Sequence, residues 1–236
     1  MSAAIVTGAA GGMGRAICDA LGAAGHAVIG VDQAPADGLA IAGSVLDPEV
    51  MRRAFDAALE RSDEVYLVNN AGITLPGARP QSDEAWSETL EVNLTAPFAW
   101  SRHYAERLDA GDIRTGALVF IGSLATQMGF PNNPAYQASK SGVLGLARAF
   151  AYELGPKGVR ANCVSPGYIQ TAMTAKSFAD PDLNRARRRQ TLLNRWGRPE
   201  EVAGVVAFLC GSASTYVTGA NLFVDGGWTC RGLIEE

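Results

Sequence analysis

Histidine is scarce in this chain, with only His26 and His103 among 236 residues. A histidine-based metal site, or a serine nucleophile served by an imidazole base, has almost no material to draw on. The four cysteines, at 18, 163, 210 and 230, lack metal-type spacing, and three fall within element patterns. They read as reduced thiols in a cytoplasmic protein. Excess positive charge is missing too: 20 Lys and Arg face 24 Asp and Glu, a net charge of -4 that argues against nucleic acid as a partner. No apolar run reaches the roughly 20 residues that span a membrane. No Arg or Lys precedes Arg15, and Ser2 to Val6 already reads as a strand, so a cleaved signal peptide is not expected. Repeats, low-complexity tracts and linkers are absent, which leaves one domain over 1–236.

What the chain does have is glycine, 27 residues of it, and a persistent alternation of strand and helix patterns. Ala3 to Thr7 is a short apolar strand. Gly8-Ala-Ala-Gly11-Gly12-Met13-Gly14 follows at once and opens a helix carrying Ile17, Ala20 and Leu21. Strand, glycine turn and helix N-terminus in that order let backbone approach a pyrophosphate and aim a positive helix end at it. The next strand, Ala27 to Val31, ends in Asp32, eighteen residues after Gly14. A carboxylate there accepts from both adenosine ribose hydroxyls and repels a 2′-phosphate, which favours NAD over NADP. Between Gln33 and Gly43 there is room for a loop and a short strand, but not for a full crossover helix. Asp47 caps a helix to about Glu60, and the strand Val65 to Val68 runs into Asn69-Asn70-Ala71-Gly72. The alternation predicts an α/β fold: one doubly wound, Rossmann-type domain with a mainly parallel sheet of about seven strands.

Ser123 to Lys140 carries the chemistry. After the apolar strand Ala117 to Ile121, Asn133 and Pro134 form a helix start, and Val143, Leu144, Ala147, Phe150 and Leu154 mark its buried stripe. Tyr136 and Lys140 lie on that stripe one turn apart. A phenol with a pKa of about 10 needs a shift of roughly 3 units, about 4 kcal/mol, to exchange protons near neutrality. An ammonium about 4.5 Å away at a dielectric near 20 supplies roughly 3.7 kcal/mol. A Ser123 hydroxyl then holds a substrate oxygen. Upstream, Asp83 opens a long helix to about Leu108, in which Pro97 offers no N–H to the carbonyl of Asn93 and leaves it free for water.

In order and spacing, these residues resemble the short-chain dehydrogenase/reductase family over almost the entire chain. Thr7-Gly8-x-x-x-Gly12-x-Gly14 is similar to its cofactor turn, Asn69 to Gly72 to its sheet-stabilising motif, and Pro166-Gly167 with Thr171 to its nicotinamide-side loop. Asn93, Ser123, Tyr136 and Lys140 match its catalytic tetrad. The resemblance implies hydride transfer between nicotinamide and a carbon bearing a hydroxyl or carbonyl. Tyr136 would move the proton, Ser123 orient the oxygen, Lys140 lower the tyrosine pKa and hold the nicotinamide ribose, and Asn93 hold a relay water. It also implies that Gly8, Gly12, Met13 and Gly14 approach the diphosphate, and that Asp32 meets the adenosine ribose. Asn70 and Gly72 would meet the cofactor's middle, and Ile169 and Thr171 the carboxamide. Ser44 stands where relatives often have an adenine-contacting Asp.

Residues 172 to 196 are polar and weakly periodic, as a lid or substrate loop spanning about 170–196 would be. The substrate wall draws on Gln127 and Tyr168 with Ser123 and Tyr136, and on Leu124, Ala125, Met128, Phe130, Met173, Phe178 and Trp196. Arg185, Arg187, Arg188, Arg189 and Arg195 crowd the lid, and one or two of them are candidates for binding a substrate carboxylate or phosphate, against a solvated helix face. The favoured function is an NAD-dependent secondary alcohol, hydroxy acid or sugar dehydrogenase. The alternatives are a ketoreductase of carrier-bound 3-oxoacyl groups and a non-catalytic cofactor-sensing scaffold. By resemblance, a homotetramer is expected, built from the long helices near 83–108 and 134–154 and the C-terminal strand.

Overall fold

The computed structural model describes residues 2–34, 40–75 and 81–232. Seven strands form one parallel sheet in the order β3-β2-β1-β4-β5-β6-β7: β1 Ala3–Thr7, β2 Ala27–Asp32, β3 Ile41–Ala42, β4 Glu64–Asn69, β5 Thr115–Ile121, β6 Val159–Pro166 and β7 Asn221–Val224. The sheet is covered on both faces, so its central strands are apolar throughout rather than alternating. In β1, Ala3 and Ile5 belong to one core while Ala4 and Val6 belong to the other, and all four are fully buried. Helices α1 (Gly12–Ala23) and α8 (Pro199–Leu209) close one face through Ile17, Leu21, Val202 and Val206. Helices α2 (Pro48–Leu59), α4 (Ala96–Asp109) and α5 (Pro134–Leu154) close the other through Phe55, Trp100, Tyr104, Val143 and Ala147.

In the core under α4, the polar tips of the two large aromatic residues are satisfied. Trp100 donates to the Val45 carbonyl at 2.9 Å and Tyr104 to the Val65 carbonyl at 2.8 Å, so these side chains are buried without leaving a donor unpaired. The strand order reverses between β1 and β4. At such a switch point the loops leave in opposite directions and open a crevice at the carboxyl edge of the sheet. The glycine turn after β1 and the Asn70 to Gly72 turn after β4 both lie there.

Two boundaries differ from the expectations raised by the sequence, and one agrees. The long helix from Asp83 is not continuous: α3 (Asp83–Leu90) passes through a π turn, Glu91–Thr95, before α4 begins. Ala96 donates to the Glu91 carbonyl, five residues back, which widens the helix just ahead of Pro97. A proline without an N–H and with a bulky ring is accommodated by that extra residue. The region after Ile169 holds more helix than its weak periodicity predicts, with α6 (Ala175–Ala179) and α7 (Pro181–Gln190). Asp180 caps α7 by accepting from the backbone of Asp182 and Leu183, a local signal that outweighs the missing apolar stripe. Strand β3 shrinks to two residues, as the short segment demands, while 35–39 lie outside the described residues.

Candidate active site

The crevice begins at the glycine turn. Gly8 has a φ of +69°, and a Cβ on Gly14 would stand 2.0 Å from the Gly8 carbonyl oxygen, so the turn closes only without side chains at these two places. Helix α1 starts with no side-chain cap and no acidic residue in its first turn, leaving its amides for an outside anion. Asp32, at the end of β2, accepts from the Ala10 backbone at 2.9 Å and from Ala34 at 3.0 Å, one bond to each oxygen. Each oxygen keeps a lone-pair site for a hydroxyl. Across the switch point, Thr7 Oγ1 accepts from the backbone of Asn70 and Ala71, both at 3.1 Å. The Asn70 amide donates to the Thr7 and Gly8 carbonyls at 2.9 and 3.0 Å, while its buried Oδ1 has no partner. Side-chain-free glycines, an uncapped helix end, a carboxylate on the turn and an orphaned amide oxygen fit a bound dinucleotide.

The chemical side of the crevice lies on α5. Asn133 caps it by accepting from the Tyr136 backbone at 3.2 Å and donates to Thr74 at 2.8 Å, tying the helix start to the loop after β4. Lys140 is 5% exposed, and its ammonium donates to the Ile121 carbonyl at 2.9 Å. A Cβ on Gly72 would stand 3.4 Å from that ammonium and 3.3 Å from Asn93 Oδ1, so the β4 turn, α5 and the π turn converge here. The Asn93 side chain is buried and fully paired: it exchanges two bonds with the Ile73 backbone, at 2.8 and 2.9 Å, and donates to Ser139 at 3.2 Å. Ser123 is the N-cap of the short turn Leu124–Thr126, accepting from the Ala125 backbone at 3.2 Å, and it stands near enough to the Tyr136 phenol to favour its ionised form. A Cβ on Gly12 would stand 3.5 Å from Thr171 Cγ2, which brings the start of the lid onto the glycine turn. Ile169 is buried and bridges to Gly197. Among the described residues, no group of three or more His, Cys, Asp or Glu could hold a metal ion. The arrangement sets a proton-bearing phenol, a hydroxyl and a buried cation beside a dinucleotide crevice.

The family model described as Enoyl-(Acyl carrier protein) reductase matches residues 8–229. Galactitol 2-dehydrogenase (L-tagatose-forming) of Cereibacter sphaeroides is 36% identical over 243 residues, 96% of this chain and 94% of its own. The chain belongs to the short-chain dehydrogenase/reductase family. The 3-oxoacyl-(acyl-carrier-protein) reductase FabG of Escherichia coli K12 is 34% identical over 237 residues, covering 95% of this chain and 96% of that one. A gluconate 5-dehydrogenase of Burkholderia cenocepacia J2315, solved in complex with NADP and tartrate, superposes with a TM-score of 0.88 at 27% identity over 98% of this chain and 96% of its own. This short-chain dehydrogenase is therefore an oxidoreductase of hydroxyl and ketone groups that uses a nicotinamide dinucleotide.

Several expectations for individual residues change. Burial is the dominant influence on Tyr136 and pushes its phenol above the ordinary value; the Ser123 hydrogen bond pulls it part of the way back. Lys140 does not offset this: its ammonium is turned to the Ile121 carbonyl, 5.7 Å from the tyrosine ring centre, and burial brings its own pKa down to about 8. Burial and Ser123, rather than the lysine, are the leading influences on the phenol in the free protein. Ser44 Oγ already accepts from the Leu46 backbone at 3.2 Å in the turn before α2, which weakens it as an adenine contact. Gln127 is exposed, and its side chain makes no hydrogen bond among the described residues. Gln137, which the sequence reading passed over, does more: it donates to the Ala125 and Met128 carbonyls at 2.5 and 2.8 Å and accepts from Phe130 at 3.3 Å. It thereby fixes the loop carrying Ser123. Its signal was its place next to Tyr136, on the helix edge facing that loop.

Proposed function

We propose that this short-chain dehydrogenase oxidises a secondary alcohol of a small polyol or hydroxy acid with NAD, reversibly with the ketone. The observation that carries the reading is the convergence at one place of Tyr136, whose ionisation Ser123 influences, with the buried Lys140 ammonium on the same helix beside the Gly72 turn. A nicotinamide dinucleotide would be held by the glycine turn, Asp32 and the Asn70 to Gly72 turn, and it would supply the hydride chemistry. The chain's own residues handle the oxygen and its proton. Ser123 holds the substrate oxygen, and Tyr136 exchanges the proton with it. Lys140 would hold the nicotinamide ribose, and the side chain of Asn93 fixes the π turn against the loop after β4. Because burial holds the Tyr136 phenol high, it carries its proton at neutral pH and is ready to protonate a carbonyl. In the oxidation direction the phenol must first be deprotonated, so oxidation quickens as pH rises above neutrality while reduction does not.

Asp32 supports NAD over NADP, since its charge faces the turn where a 2′-phosphate would lie. Residues 170–196 act as the lid of the one catalytic domain, 1–236. A homotetramer is supported by aromatic side chains exposed on the long helices: Phe98 on α4 is 43% exposed and Tyr152 on α5 is 86% exposed. A cytoplasmic location is supported by cysteines that are all unpaired; no helix among the described residues is long and apolar enough to cross a membrane.

The test is NADH appearance over a panel of secondary alcohols, hydroxy acids and alditols, repeated with NADP and with Tyr136→Phe. Turnover with NAD that falls on the order of a hundredfold or more in Tyr136→Phe, with NADH affinity unchanged, is expected. Turnover confined to 3-oxoacyl carrier substrates with NADPH would replace this reading with that of a carrier ketoreductase. Tight NADH binding with no turnover of any substrate would leave a cofactor-sensing scaffold.

A further inference from the structure

Five arginines crowd the lid, and four have an evident reason to be there. Arg195 is bidentate to Glu201, at 2.6 and 2.8 Å. Arg188 donates to the Asn194 carbonyl at 3.0 Å, Arg185 lies 4.0 Å from Asp182, and Arg189 is exposed to solvent. Arg187 differs from all of them. It is half-buried, its guanidinium lies 4.5 Å from the centre of the Tyr168 ring, and it has no carboxylate partner among the described residues. Its Nε is buried with no acceptor.

A second orphan donor lies beside it. Trp196 is 3% exposed, and its indole N–H is buried without an acceptor, although its ring meets Tyr168 edge-on at 5.3 Å and Phe178 at 5.3 Å. Tyr168 also stacks on Trp228 at 5.1 Å. Tyr168 follows β6 by two residues, and Thr171, three residues further on, meets Gly12 of the glycine turn, so this aromatic cluster borders the same crevice. A ring face holds a cation only in part. The Arg187 Nε and the Trp196 indole N–H are both shielded and unpaired against the same Tyr168 ring, and an anion with several acceptor oxygens admitted there would satisfy them.

We propose that Arg187, with the Trp196 indole N–H, recognises a carboxylate on the substrate, making this enzyme selective for hydroxy acids over neutral polyols. The inference rests on the dehydrogenase reading for the position of the reacting carbon. Arg187 is a specificity residue, and the planar guanidinium, not charge alone, supplies the selectivity.

The test measures binding without turnover. NADH-loaded protein is titrated calorimetrically with short hydroxy acids and aldonates, each paired with its own amide, in the wild type and in Arg187→Met, Arg187→Lys and Arg185→Met. At least one acid should bind the wild type about tenfold or more tightly than its amide. Arg187→Met should lose that preference while amide binding is kept, Arg187→Lys should retain part of it, and Arg185→Met should match the wild type. Retention of the preference by Arg187→Met, its equal loss in Arg185→Met, or the absence of any acid preferred over its amide would overturn the proposal. If Arg187→Met does not fold, Arg187→Lys decides: an undiminished preference supports charge alone and overturns the role of the planar fork. An Arg187-dependent acid preference without NADH production from any of those acids would remove the dehydrogenase reading and leave the anion site standing.

Discussion

The glycine turn and the lid meet where Gly12 approaches Thr171, yet they are held by different forces. On the turn the constraint is steric and local: a Gly14 side chain would run into the Gly8 carbonyl, and Thr7 and Asn70 lock the backbone from across the switch point. On the lid the constraint is a choice of partner. Arg195 finds Glu201, Arg188 finds a carbonyl, and Arg187 lies on Tyr168 with one nitrogen unmatched. A region built by excluded volume tolerates almost no added atom. One built by pairing tolerates most changes and concentrates its function in the residue left unpaired.

The largest effect should therefore come from the smallest substitution. In Gly14→Ala, the new Cβ would lie 2.0 Å from Gly8 O and 2.9 Å from Ala9 Cα, both backbone atoms that cannot swing aside. The turn must open, and we expect NADH affinity to fall on the order of a hundredfold, measured by fluorescence titration, with a lowered Tm. Near-normal NADH binding would mean that the turn is more compliant than its packing implies, and the contrast with the lid would fail.

That contrast also explains what could be read from residues alone. The glycine turn, the Asn133 cap and the alternation that makes a parallel seven-stranded sheet were legible, because backbone sterics and capping depend on few residues and short spacing. The convergence of Tyr136, Lys140 and Asn93 was legible through family resemblance. The direction of the tyrosine shift was not, since it turns on how deeply the folded chain buries the phenol, and sequence does not carry that information. Gln137 and Arg187 were missed as individuals for the same reason: their roles arise from loops distant in sequence that fold against them. The π turn at Glu91–Thr95 was half-visible, because Pro97 announces a disturbed helix but not its form.

Lys140 gives the next largest effect, in stability. Its folded pKa of about 8 lies below the unfolded value near 10.5, so between those pH values the unfolded chain binds more protons and folding gains stability as pH rises. Below pH 8 the full cost of the buried charge, roughly 3 kcal/mol, is present. Lys140→Met has no such dependence. Chemical denaturation of cofactor-free protein should show the wild type gaining on Lys140→Met from about pH 8 to 10, even though the variant has lost turnover. Parallel curves would show the ammonium to be better solvated than its burial implies.

Asp32→Asn is a milder change, since the amide oxygen can still accept from Ala10 while the charge is gone. The NAD to NADP preference, read as a ratio of kcat/KM, should shrink about tenfold, with little change in Tm. An unchanged ratio would place cofactor choice elsewhere on the turn.

The smallest effect is expected on the lid's best-paired residue. Arg195 and Glu201 form two short bonds, but their side chains are 49% and 30% exposed, and water screens the pair. Arg195→Met should lower Tm by about 2 °C or less at neutral pH. Glu201 provides the signature. Its carboxyl is held down at about 2, first by the Arg195 bond and then by the Arg198 backbone N–H at 2.8 Å. A depressed carboxylate stabilises the fold above its unfolded pKa near 4.5 and loses that contribution as pH falls toward 2. The gap in Tm between wild type and Arg195→Met should therefore be constant from pH 7 to about 5 and close below that. Because the Arg198 backbone bond survives the substitution, part of the depression should remain in the variant. A large gap at pH 7 would mean that pairing on the lid is as unforgiving as packing on the turn.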